Sequence, residues 1–122
     1  MSGPLAWSAM AALAGVGAVG RVLLDEVVSA HSRGPFPLGI LAVNLLGAFA
    51  LGVLHGAGVD GRALFLVGTG LLGAFTTFSA WMLESERLWR DGFAPAGWLN
   101  LWLSLAGGLV AVALGDALGG VL

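Results

Sequence analysis

The chain has 122 residues, enough for one domain and too few for two. Hydrophobic residues make up 58% of it and charged residues 10%, against roughly 25% charged residues in soluble domains, so a soluble globular enzyme is close to excluded. The net charge is −2 and all five basic residues are arginines, which excludes a basic nucleic-acid-binding surface, while the lack of cysteine excludes disulfides and thiolate metal sites.

Four stretches of the chain are long and apolar enough to cross a bilayer, which takes about 20 helical residues. They cover about residues 5–28, 38–56, 63–83 and 98–121, and the fourth begins after Pro95. The connections between them are short and hold charged residues, proline or glycine, so none has room for a soluble domain. The sequence therefore predicts an all-α membrane protein in which residues 1–122 form one transmembrane domain of four helices.

The first helix carries one charge in its apolar body, Arg21. Charges inside a bilayer are costly and mark functional positions by default. Arg21 either attracts anions at a vestibule, or anchors the helix by reaching the interface or pairing with Asp25 one turn on.

The arginines are shared unequally between the two sides of the predicted bundle. Arg62 lies alone on the side of the termini and the middle loop, whereas Arg33, Arg87 and Arg90 lie on the other side, with Arg21 near it. The positive-inside rule then favours termini outside. The counts are small, so insertion in both orientations stays open.

Small residues recur at four-residue spacing on the second and fourth helices, which places them on one helix face. The rows are Asn44-Ala48-Gly52-Gly56, Gly107-Ala111-Gly115-Gly119 and Asn100-Ser104-Gly108. Such rows let helices approach closely in lipid, and those with Asn or Ser also suit a narrow polar path. Because four short helices enclose little interior, a channel of this size is expected to be an oligomer, by default a two-fold dimer.

The third helix is crowded with Gly, Thr and Ser over residues 68–81. Glycine and β-branched threonine lower helix propensity. A break near the bilayer midplane would expose backbone carbonyls, which is tolerated where they are buried in protein or meet an ion or water. The residues alone leave two alternatives open: a third helix broken near the midplane, or an unbroken helix whose hydroxyls bond back to the preceding turn.

Two aromatic residues of this helix, Phe78 and Trp81, are three positions apart and project from one face. They either pack against neighbouring helices or offer their slightly positive ring edges to an anion. Ring edges beside the hydroxyls of Thr77 and Ser79 and the amide of Asn44 would form an uncharged anion path. Weak binding at several such groups permits exit as well as entry.

These residues resemble the Fluc/CrcB fluoride channel family over nearly the whole chain. The resemblance rests on Gly20-Arg21, Val43-Asn44-Leu45-Leu46-Gly47, and Gly73-Ala74-Phe75-Thr76-Thr77-Phe78-Ser79 followed by Glu84. It implies a fluoride-specific channel of the plasma membrane that gives passive fluoride efflux and so lowers cytoplasmic fluoride toxicity. It also implies an antiparallel, dual-topology dimer with two pores and a structural sodium ion at its centre.

The resemblance assigns roles to individual residues of this chain. Gly73 and Thr76 match the positions whose backbone carbonyls hold the sodium ion. The expected fluoride-pore residues are Asn44, Thr77, Phe78, Ser79, Trp81 and Ser104. Arg21 matches a vestibule arginine and Glu84 the acid at the end of the third helix, in vestibule or supporting roles.

The chain departs from the family pattern at several positions. Trp81 replaces the usual second Phe, Ala80 a Thr, and Ala74 the second glycine of a Gly-Gly pair, while Gly108 stands where a further hydroxyl is expected. Some family members work as pairs of different chains. The altered aromatic and the arginine bias leave two alternatives open, a homodimer, or a heterodimer in which a second family member supplies the working pore.

Other classes of function fit the sequence less well. A small dual-topology drug exporter needs a membrane-embedded carboxylate, and no Asp or Glu lies in the middle of a predicted helix. An enzyme is not predicted, because the sequence offers no acid–base pair, metal cluster or nucleophile–base arrangement. The expected partners are fluoride, membrane lipid and a second family chain, with no nucleic acid.

Overall fold

The computed structural model describes residues 3–122, and every regular element in them is a helix. Four helical spans are long and apolar enough to cross a membrane, which confirms that part of the predicted architecture. They are α1 (Pro4–His31), α2 (Leu38–Gly56), a third span (Gly61–Arg90) made of several segments, and α6 (Ala94–Gly119).

Proline explains where two of these helices begin. Pro4 opens α1, and α6 begins at Ala94 with Pro95 in its first turn, ahead of the predicted start at residue 98. A proline in the first helical turn is tolerated because the amide it lacks would have no partner there. Pro95 therefore belongs to the helix that the sequence analysis placed after it.

The third span changes geometry along its length. It consists of α3 (Gly61–Ala63), a π-helix (Leu64–Leu72), α4 (Gly73–Phe75) and, after two residues of extended backbone, α5 (Phe78–Arg90). The π-helix was not predicted from the sequence. It packs against α1, where Gly17 lies against the backbone of Leu71.

Helices α2 and α6 approach each other so closely that only glycine fits at four positions. Gly52 and Gly56 of α2 lie against backbone carbonyl oxygens of α6, and Gly115 and Gly119 of α6 lie against those of α2. A Cβ atom at any of the four would collide with the facing carbonyl. The close helix packing predicted from the rows of small residues is therefore confirmed for these glycines.

The buried apolar core of the described chain is small and consists of Ile40, Leu41, Val43 and Leu88. Large apolar side chains on α1 and α6, such as Val16 and Leu109, point outward. A membrane protein can present such faces to lipid, because lipid tails are as apolar as these side chains. The two fully buried polar side chains of the described chain, Ser85 and Asn100, lie between α5 and α6.

Candidate functional site

Two residues with extended backbone interrupt the third span. Thr76 has φ −79° and ψ 159°, and Thr77 has φ −150° and ψ 117°. Asn44 of α2 binds both backbone polar groups of Thr77, since its Nδ2 donates to the Thr77 carbonyl over 3.0 Å and its Oδ1 accepts from the Thr77 amide over 2.9 Å. One side-chain amide thus replaces two hydrogen bonds that the backbone gives up here.

The threonine side chains close the helix ends on either side of the interruption. Thr76 Oγ1 donates to the carbonyl of Leu72 over 3.0 Å, so this hydroxyl bonds to the preceding turn. Thr77 Oγ1 accepts from the amide of Ala80 over 3.1 Å and caps the N-terminus of α5. Ser79 Oγ lies 3.3 Å from Thr77 Oγ1.

These bonds change the surroundings of two backbone carbonyls, those of Gly73 and Thr76. In a continuous helix they would accept from the amides four residues on, which belong to Thr77 and Ala80. Here the Thr77 amide donates to Asn44 and the Ala80 amide donates to the Thr77 side chain. Carbonyl oxygens released from helical bonding in this way suit a cation. The two carbonyls therefore fit the sodium ligands that the family resemblance implies.

A pocket of about 290 Å³ opens beside the interruption. It is lined by Asn44, Thr76, Thr77, Phe78, Trp81 and Ser104, together with Leu105, Gly108, Leu109 and Val112 of α6. The structure thus brings five of the six expected pore residues together. Ser79 is exposed and does not line the pocket. The lining residues are all uncharged, so any ion held in the pocket meets dipoles alone.

The two aromatic side chains of the pocket contact each other edge to face. Phe78 and Trp81 have ring centroids 5.5 Å apart and planes at 84°, the geometry that aromatic quadrupoles favour. Phe78 remains 70% exposed. The Trp81 ring is fixed by a hydrogen bond from its Nε1 to the backbone carbonyl of Asn100 over 3.2 Å.

Behind Trp81 lies a polar pair that the sequence analysis did not assign to the site. Asn100 and Ser85 are fully buried, and Asn100 Nδ2 donates to Ser85 Oγ over 2.8 Å. Ser104 Oγ donates to Asn100 Oδ1 over a long 3.4 Å. The spacing of Asn100 and Ser104 in one polar row was a usable signal, whereas nothing in the sequence pointed to Ser85.

Arg21 and Glu84 lie away from this pocket. Arg21 is half-buried, and its Nε is buried without a hydrogen-bond partner in residues 3–122. Asp25, suggested as a partner for Arg21, accepts instead from Ser29 Oγ over 3.1 Å. Glu84 forms an ion pair with Arg87 at 3.1 Å and borders a second cleft, shared with Asp25.

A side-chain hydrogen bond joins the ends of α2 and α6. His55 Nδ1 lies 2.8 Å from Asp116 Oδ1, and both side chains are exposed. The sequence did not reveal this pair, because the two residues are far apart along the chain. The pair lies at the far end of the glycine contact, beside Gly56 and Gly119.

Comparisons with known proteins identify relatives of the chain. The profile of the family described as "CrcB-like protein, Camphor Resistance (CrcB)" matches residues 8–116. A "Fluoride-specific ion channel FluC 2" of Mycolicibacterium paratuberculosis is 42% identical over 112 residues, 92% of each chain. A protein of the same name from Haloarcula marismortui is 46% identical, and the match covers 80% of this chain and 82% of that protein. A "Fluoride-specific ion channel FluC 1" of Rubrobacter xylanophilus is 49% identical over 88% of each chain.

The names of these relatives describe ion channels, and the prediction that the chain is not an enzyme is confirmed with them. Together with the four spans, they identify a multi-pass protein of the plasma membrane. The family match covers most of the chain, and so do the relatives, each more than 40% identical. The resemblance inferred from the sequence is thereby confirmed, and the chain belongs to the CrcB family, that of the FluC channels.

Proposed function

We propose that the chain forms a fluoride-specific channel that gives passive efflux of fluoride across the plasma membrane and lowers its toxicity in the cytoplasm. The observation that carries the proposal is the uncharged pocket at the interruption of the third span, where an amide, hydroxyls and two aromatic rings converge. Relatives that are 42% and 49% identical over 92% and 88% of each chain are named as fluoride-specific channels. The pocket chemistry is what a small anion requires.

The donors around the pocket are weak and neutral. Asn44 Nδ2 carries two hydrogens, and one of them is used on the Thr77 carbonyl, which leaves the second for an anion. The long bond of the Ser104 hydroxyl to Asn100 is easily exchanged for one to an anion, and the ring edge of the exposed Phe78 adds a slightly positive surface. Such weak binding at several groups allows an ion to leave as readily as it enters.

The assembly proposed for this channel is an antiparallel, dual-topology dimer. The carbonyls of Gly73 and Thr76, whose helical donors are bonded elsewhere, would hold a structural sodium ion between the two copies. Gly73 is exposed in the single chain, which supports its placement at a surface that a second chain covers. The break of the third helix near the bilayer midplane belongs to the same proposal.

Arg21 is proposed as a vestibule residue that attracts anions. No carboxylate forms an ion pair with Arg21 within residues 3–122, so its charge is not neutralised by the described chain. Glu84 is assigned a supporting role at the end of α5, where it binds Arg87.

A second candidate is a partner subunit of a heterodimeric channel whose own pore is silent. It is favoured by the wall that α6 gives the pocket, where Leu105, Gly108, Leu109 and Val112 offer no hydroxyl beyond Ser104. The large side chain of Trp81 also favours a partner subunit with a silent pore. In this case a second family member would supply the conducting pathway.

The test is fluoride efflux from liposomes that hold the purified chain alone, followed with a fluoride electrode and repeated with chloride. Fast release of fluoride without chloride supports a homodimeric channel. Release only after adding a second family member supports the partner subunit. If a well-folded protein releases no fluoride in either preparation, the proposed function is wrong.

A further inference from the structure

A buried polar network joins α5 to α6 behind the aromatic wall of the pocket. Asn100 Nδ2 donates to Ser85 Oγ over 2.8 Å, and Ser85 Oγ donates to the carbonyl of Trp81 over 3.0 Å. A hydroxyl has one hydrogen, and that of Ser85 is used on Trp81. Ser85 must therefore accept from Asn100, which fixes the direction of the Asn100 amide with its oxygen away from Ser85.

The fixed amide directs its oxygen to Ser104. Ser104 Oγ donates to Asn100 Oδ1 over 3.4 Å. A serine within a helix otherwise bonds its hydroxyl to the backbone carbonyl four residues earlier, which for Ser104 is the carbonyl of Asn100. The Asn100 side chain thus accepts a hydrogen bond that its own backbone would otherwise receive.

That backbone carbonyl is the anchor of Trp81. Trp81 Nε1 donates to it over 3.2 Å, and α6 directs the amide of Ser104 to the same oxygen. A carbonyl oxygen has two lone pairs, so these two donors fill it. A third donor, such as the Ser104 hydroxyl, would compete directly with the indole.

We propose that Asn100 is a positioning residue for the aromatic wall of the pocket. Held by Ser85, it accepts the Ser104 hydroxyl and so reserves its backbone carbonyl for Trp81, whose ring stays edge to face with Phe78. Its effect on fluoride passage rests on the proposed function, whereas the positioning concerns only hydrogen bonds within the chain. The positioning role of Asn100 and the channel function can therefore be tested separately.

The test follows the indole N–H of Trp81 by NMR of ¹⁵N-labelled protein in detergent micelles. The chain has five tryptophans, and the variant Trp81→Phe identifies the signal of Trp81, with Trp102→Phe as the matched control. We expect slow solvent exchange of this N–H in the wild type. Asn100→Leu should accelerate the exchange about tenfold, as expected for the loss of one hydrogen bond.

The decisive variant combines Asn100→Leu with Ser104→Ala. Removing the competing hydroxyl should restore slow exchange of the Trp81 indole, whereas a general loosening of α6 would not be reversed by it. Ser104→Ala alone is the control and should leave the exchange unchanged. Unchanged exchange in Asn100→Leu, or an acceleration that the double variant keeps, overturns the positioning role.

A smaller substitution covers the case in which Asn100→Leu does not fold. Ser85→Ala removes the acceptor that orients the Asn100 amide and leaves α6 intact, and it should also accelerate exchange of the Trp81 indole. No acceleration there would overturn the proposal. Liposome efflux of the same proteins separates the two proposals. A wild type that releases no fluoride, either alone or with a second family member, but shows the predicted exchange pattern contradicts only the proposed function.

Discussion

Helix α6 makes two contacts within the bundle, and they are built in opposite ways. Its C-terminal half meets α2 through Gly115 and Gly119, which lie against backbone carbonyls. Its N-terminal half meets α5 through Asn100, which is fully buried and bonded to Ser85. One contact depends on the absence of side chains, and the other on a side-chain amide with satisfied hydrogen bonds.

The difference shows how a small membrane protein divides two tasks. Lipid tails are as apolar as leucine, so helices associate through close packing and hydrogen bonds. The glycine contact brings two backbones together and fixes the distance between α2 and α6. The polar contact fixes the direction of individual groups, among them the carbonyl that anchors Trp81. The pocket is bordered by the middle of α6, from Ser104 to Val112.

The largest effect is expected from adding one methyl group to the glycine contact. In Gly115→Ala, the new Cβ would collide with the carbonyl of Phe49, and a backbone group cannot rotate aside. We expect a loss of about 3 kcal/mol or more of stability, measured as thermal unfolding in detergent. Gly108→Ala on the same helix is the control, because nothing lies within 4 Å of its added Cβ. Equal stability of the two variants would contradict the role of this contact.

A smaller effect on stability, but a large one on efflux, is expected at Asn44. Asn44→Leu removes both bonds to Thr77 and should cost about 2 kcal/mol, since two backbone groups lose their partners. Asn44→Asp retains the acceptor for the Thr77 amide but turns a carboxylate oxygen toward the Thr77 carbonyl, so it should also cost about 2 kcal/mol. It places a negative charge in the proposed anion path, so fluoride efflux should fall sharply. Efflux at the wild-type rate in Asn44→Asp would remove Asn44 from the mechanism.

Much of the architecture was predictable because hydropathy alone marks segments that cross a bilayer. The four spans follow from runs of apolar residues, and the glycine contact from four-residue spacing. The π-helix at Leu64–Leu72 was not predicted, because π-helices are rare and no residue pattern of this segment marks one. The start of α6 was placed too late, since a proline was read as lying before the helix.

At the site, composition indicated which residues matter but not how they are bonded. The threonines and Asn44 were identified from the sequence, yet the two-point contact of Asn44 with Thr77 joins positions 33 residues apart. Ser85 was missed because a lone serine in a helix has no distinctive pattern. The pairing of Arg21 with Asp25 was one alternative, and the described structure places Asp25 with Ser29 instead. The dimer, the sodium ion and the pore roles of individual residues stay predictions.

The smallest effect on stability is expected from a polar bond beside the glycine contact of α2 and α6. His55 and Asp116 join α2 to α6 over 2.8 Å, but their side chains are 82% and 49% exposed. Exposed pairs typically contribute about 0–1 kcal/mol, so Asp116→Asn should shift thermal unfolding far less than Gly115→Ala and leave fluoride efflux unchanged. A shift as large as that of Gly115→Ala would mean that the bond between His55 and Asp116, and not the fit of the glycines, sets the distance between the two helices. The contrast between the two contacts of α6 would then be wrong.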